Sequence, residues 1–96
     1  MAEELERVQV KRVRGWRKPD GAIYVGRPTR WGNPFTVGEH GREQAVQLYR
    51  EHLAGMPQAE RDALLEPLRM ATALCCWCKP GEACHADVLL DYLNTN

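Results

Sequence analysis

All four cysteines of this 96-residue chain fall within residues 75–84, in a stretch that reads CCWCKPGEACH and ends on His85. No other feature limits the fold as strongly. Sulfurs crowded together in this way are held by a metal, joined by bridges or buried as small apolar groups. The opening MAEELERVQVKRVRG has no apolar core of the kind a signal peptide needs. The chain also lacks an apolar run of about 18 residues, the minimum for a membrane span. The expected setting is therefore cytoplasmic, where thiols stay reduced. In that setting, clustered cysteines favour metal or thiol chemistry over a disulfide framework.

The candidate metal ligands are Cys76, Cys78, Cys84 and His85, spaced C-x-C-x5-C-H. Three cysteines and one histidine are a common structural zinc set, so zinc is the expected ion. Cys76 and Cys78 stand two apart, and on an extended chain they project to the same side. Pro80 and Gly81 then supply the bend that returns Cys84 and His85. Cys75 points the other way and reads as a small core residue. Two rivals remain open. A redox pair usually sits in C-x-x-C, which is absent. A nucleophilic Cys84 at the start of a helix would gain acidity from the helix dipole. The His-x-Glu and Pro-Cys-x-x-Cys pattern of the zinc deaminases is absent as well.

A second cluster precedes the first in the chain. Residues 26–35 read GRPTRWGNPF. Arg27 and Arg30 offer planar, bidentate contacts to an anion. Trp31 is placed to stack on a base or pack into the core, and Asn33 to read a polar edge or cap the turn. Glycines permit close backbone approach here, and prolines stiffen the loop. The charge distribution agrees with an anionic ligand. The formal net charge is zero, yet residues 7–30 carry eight basic side chains and one acid, Asp20. Such a segment attracts phosphate or nucleic acid, although lysine and arginine also serve to blunt sheet edges.

The chain length fits one domain, residues 1–96. Val8, Val10 and Val13 suggest an edge strand that ends near Gly15. Residues 17–21 are turn chemistry, and residues 22–25 form a short buried strand. A helix over 42–54 follows from Ala45, Val46, Tyr49 and Leu53 sharing one face, with Gly55 ending it. Pro57 opens a second helix with Ala63, Leu64 and Leu68 inward, and Pro67 ends or kinks it. Residues 71–76 read as a third strand and 84–93 as the last helix. The expected fold class is α/β, a small two- or three-layer domain with about three strands and three helices in the order β-β-α-α-β-α. Two helices between the second and third strands imply a parallel crossover. Both loops would then leave the sheet at the carboxyl ends of their strands, where open α/β sheets bind ligands.

These residues resemble a known family, domain of unknown function 4326, found in bacteria and their viruses. The resemblance lies in Tyr24-Val-Gly-Arg-Pro28, Trp31-Gly-Asn-Pro-Phe35, the helix that includes Tyr49, Cys76-Trp-Cys-Lys-Pro80 and Cys84-His85-Ala-Asp87. It covers about residues 20–93 as the core and leaves 1–19 as a basic arm or edge strand. It implies no reaction, but it singles out the arginine loop and the cysteine cluster.

The leading expectation is a small zinc-binding protein. Its cleft, between the arginine loop and the Cys/His cluster, takes a phosphate-bearing ligand, a nucleotide or nucleic acid. An enzyme acting on a nucleotide-like molecule at the same cleft is the alternative. Metal-assisted hydrolysis needs an open coordination position, and Glu82 and Asp87 are the carboxylates near enough to act as a base. A third possibility is an adaptor for a host or viral protein, with zinc as a staple. The sequence assigns no catalytic residue and no oligomeric state.

Overall fold

The structure, a computed structural model, describes residues 5–79 and 81–94. Its sheet has three parallel strands, β1 (Glu6–Gln9), β2 (Ala22–Tyr24) and β3 (Ala73–Cys76), in the order β1-β3-β2. The last strand in sequence is therefore the central one. Val8 and Tyr24 both pair with Cys75, so the three strands end side by side. Their carboxyl ends form one edge, as the two-helix crossover implied.

Four α-helices accompany the sheet: α1 (Val37–His40), α2 (Arg42–Ala54), α3 (Gln58–Leu65) and α4 (His85–Leu93). The core lies between them and one sheet face. Leu74 and Val25 from the sheet meet Tyr49 and Leu53 of α2, Leu65 and Leu68, and Val88 and Leu89 of α4. The opposite sheet face carries a smaller cluster of Ala22, Ala73 and Cys75, flanked by Val8, Val10 and Tyr24. Cys75 is fully buried there, on the face away from Cys76, as strand alternation requires.

Three local readings shift. The first strand is shorter than Val8–Val13, although Val10 still donates its N–H to the Cys76 carbonyl at 2.7 Å. Val13 is exposed. It lies three residues past Val10, out of phase with the two-residue strand period. Ala63, expected inward on the second helix, is exposed, and Leu65 is buried instead. The helix tightens into a 3-10 turn over Glu66–Met70, in which Pro67 offers no N–H. Three residues per turn then align Leu65 with Leu68. Helix α1 lies inside what reads as loop. It is a single turn held by its cap, in which the Thr36 hydroxyl accepts the Glu39 N–H at 3.3 Å.

No helix among the described residues is long and apolar enough to cross a membrane. Pro80, one half of the expected bend, lies outside the described residues. Gly81, the other half, has a φ of +90°, a conformation suited to glycine.

Candidate metal centre and adjoining cleft

Cys76 is the last residue of β3, and Cys78 stands two residues beyond it. The ordinary alternation of a strand sends both sulfurs to the helix side. Cys84 is the N-cap of α4, in extended conformation, and it brings a third sulfur back to them. The three sulfurs lie within 4.8 Å of one another. Four ligands in a zinc tetrahedron, with Zn–S bonds near 2.3 Å, place neighbouring sulfurs roughly 3.8 Å apart. The cluster is therefore of the right size to hold a metal ion.

His85 stands beside this group but outside the set of three. Its Nε2 lies 2.8 Å from the Val25 carbonyl and its Nδ1 lies 3.8 Å from Cys84 Sγ. A carbonyl can only accept, so Nε2 carries a proton, and Nδ1 faces the cysteines. Metal-bound histidines are commonly oriented by such a hydrogen bond from the far nitrogen. Tyr49 packs edge-on to the imidazole at 5.3 Å and limits its swing.

The thiols differ in acidity. The Cys76 and Cys84 sulfurs approach to 3.2 Å. The hydrogen bond from Cys76 draws Cys84 well below the usual thiol range, helped by His85 and the backbone N–H of Ala86, and against the effect of burial. Cys76 is pushed up by that same bond and by burial. Burial raises Cys78 most, opposed by Arg42, whose Nη1 lies 3.3 Å from the sulfur. Cys84 is thus the sulfur most readily present as thiolate, the form that binds metal.

Two arginines brace the loop that carries these ligands. Arg7 of β1 reaches across the sheet edge. It donates to the carbonyls of Glu82 at 2.9 Å and Lys79 at 3.1 Å, and pairs with Asp87 at 3.2 Å. Arg42, the first residue of α2, donates to the Ala83 carbonyl and pairs with Glu82 at 3.7 Å. Glu82 also accepts the Lys79 N–H at 2.8 Å. Both carboxylates considered as bases are therefore engaged in holding the loop. Arg7, counted in the basic arm by sequence, has a side chain only 12% exposed.

The sheet edge brings part of the arginine loop to the same place. A cleft of about 420 Å³ is lined by Cys76, Cys78, Cys84 and His85 on one side and by Arg27 and Asn33 on the other. Arg27 is exposed, and among the described residues its guanidinium makes no ion pair. Asn33 is buried. Its amide donates to the Ala45 carbonyl at 3.0 Å and its oxygen accepts the Phe35 N–H at 2.9 Å, so it shapes the loop. Trp31 and Arg30 stand elsewhere. Trp31 is buried in the core and donates its indole N–H to the Leu64 carbonyl at 2.8 Å. Arg30 lies over that indole at 5.2 Å and lines a different recess, beside His52 and Leu64.

Several cleft residues carried no clear sequence signal. Arg42 opens a helix with no motif to mark it, and Phe35 is an aromatic residue that a loop can equally bury. Trp77 lies between two candidate ligands, and strand parity alone turns it away from them, toward Tyr24. Glycine is required twice in the arginine loop. A Cβ on Gly26 would collide with the Tyr24 hydroxyl, and one on Gly32 would come within 3.1 Å of the Arg27 backbone.

The chain is 33% identical over 79 residues to an uncharacterised 12.4 kDa protein of Enterobacteria phage T4, encoded in the nrdA-td intergenic region. The alignment covers 80% of this chain and 71% of the phage protein. No solved structure matches. A family model matches residues 8–95, a span that includes half of β1 and both loops, and the chain belongs to the family described as Domain of unknown function (DUF4326).

Proposed function

We propose that the chain is a small zinc-binding protein whose cleft takes a phosphate-bearing ligand. Zinc sits on Cys76, Cys78 and Cys84, with His85 Nδ1 as the fourth ligand after a small rotation of the ring. The observation that carries the reading is the gathering of three sulfurs at the side of a cleft that also holds Arg27 and Arg42. A divalent ion with three thiolates and a neutral imidazole has a net charge of −1. Arg7 and Arg42 offset that charge, and Arg27 is left to meet an anion.

The position of His85 outside the sulfur set favours a second reading, an enzyme. If His85 keeps its bond to Val25 and does not bind the metal, the fourth position opens to the cleft and can carry water. The engagement of Glu82 and Asp87 by arginines counts against a carboxylate base.

Elemental analysis of untagged protein, purified without added metal, tests the metal. The expected result is about one zinc per chain, with no thiol free to react until zinc is removed except the buried Cys75 once the protein is unfolded. Protein free of metal, with all four thiols of the chain titrating, overturns the reading. Phosphate binding is checked by calorimetry with inorganic pyrophosphate on the zinc protein and on Arg27→Ala, where affinity should fall about tenfold.

A further inference from the structure

The fold leaves one large aromatic side chain without a structural reason for its position. Among the described residues the exposed large hydrophobics are Val13, Val37, Met70 and Trp77, and two of these, Val37 and Trp77, line the metal cleft. Trp77 is 45% exposed, whereas Trp31 is buried at 8%. Trp77 is also held in place. Its indole N–H donates to the Tyr24 hydroxyl at 3.0 Å, and that hydroxyl donates to the Arg27 carbonyl at 3.0 Å. The chain of bonds ties the ring to the loop that bears the unpaired guanidinium. The Arg12 guanidinium lies over the ring at 4.9 Å.

An exposed, oriented indole beside two arginines matches the two halves of a nucleotide. A base has a flat π-face that stacks on tryptophan, and a phosphate pairs with guanidinium. Inorganic phosphate or a sugar phosphate would leave the apolar wall of Trp77 and Val37 in water. The cleft volume of about 420 Å³ is that of a single small-molecule site, too small for several stacked bases.

We infer that the occupant of the cleft is a mononucleotide whose base stacks on Trp77, with Arg27 on its phosphate. This rests on the ligand-binding reading above and names its substrate class. Trp77 takes the stacking role that the sequence offered to Trp31.

The test is calorimetry on the zinc-loaded protein with five probes: the four ribonucleoside 5′-monophosphates and ribose 5-phosphate. At least one monophosphate should bind about ten- to a hundredfold tighter than ribose 5-phosphate. Trp77→Ala should bring it down to the ribose 5-phosphate level, and Trp77→Phe should keep most of the gain. Zinc content and circular dichroism check that each variant is folded. If Trp77→Ala fails that check, Tyr24→Phe, which frees the indole edge, should give a smaller loss of the same selectivity. Equal binding of all five probes overturns the base-stacking inference and leaves the phosphate reading standing. So does a Trp77→Ala protein that keeps the preference. A sixth probe, octathymidylate, covers single strands, and its tight binding with none of the monophosphates overturns the mononucleotide assignment. No binding by any probe removes the phosphate reading itself.

Discussion

The arginine loop and the cysteine loop meet at one sheet edge, but they are held there by different means. The arginine loop is self-sufficient. Trp31 fills the core, Asn33 bonds to Ala45 and Phe35, and the Tyr49 hydroxyl donates to the Trp31 carbonyl at 2.8 Å. The cysteine loop has little apolar anchorage beyond Cys84 and hangs on the Arg7 and Arg42 braces. Its three sulfurs lie within 4.8 Å of one another. One loop is anchored in the core, and the other is tied to the sheet and α2 by arginines and carries sulfurs that could hold an ion. In the proposed site the core-anchored wall faces the metal-binding wall, so ligand affinity is expected to depend on metal loading.

That contrast can be broken experimentally, and the largest effect should come from the metal. Structural zinc sites contribute on the order of 10 kcal/mol in small domains. Chelation, or Cys84→Ser, is expected to release the ion and expose the backbone N–H groups of residues 77–83 to hydrogen exchange. Those of 29–33 should stay protected. Equal loss of protection in both loops would erase the distinction. Trp31→Ala should do the reverse. Loss of a buried tryptophan costs about 3–5 kcal/mol, seen as a lower Tm, while zinc per folded chain stays the same.

Arg7→Ala tests the brace. Removing its bonds to two carbonyls of the cysteine loop should cost about 1–3 kcal/mol and speed zinc release to a chelator, with the sheet intact by circular dichroism. Acid should act in the same direction. The ligands bind as thiolates and neutral imidazole, so protons compete with the ion, and zinc affinity should fall as pH drops from 8 to 5. A pH-independent affinity would mean the ion sits on other groups. The smallest effect belongs to Arg30→Ala. Its contact with the Trp31 ring is worth about 0.5–1 kcal/mol at an exposed position, and neither zinc content nor cleft binding should change.

Much of this architecture is short-range and was therefore legible in the chain. Strand alternation put Cys76 and Cys78 on one side and Cys75 on the other before any packing was known. The spacing of Ala45, Tyr49 and Leu53 defined the inner face of α2, and two helices between the second and third strands predicted that those strands run parallel. What failed locally failed for physical reasons as well. A 3-10 turn changed the period after Leu65, and Val13 fell out of phase with its strand.

Tertiary structure decided the rest. The chain holds three tryptophans, and no local pattern says which one is covered. Trp31 is inside because α3 lies over it and offers the Leu64 carbonyl, whereas Trp77 stays 45% exposed with its indole N–H on the Tyr24 hydroxyl. Arg7 acts on a carbonyl 75 residues away, which depends on β3 inserting between the two earlier strands. Sequence periodicity reports which way a side chain points from its own backbone. The neighbour it meets there is chosen by how the layers stack, and that separated the buried indole from the one left at the mouth of the cleft.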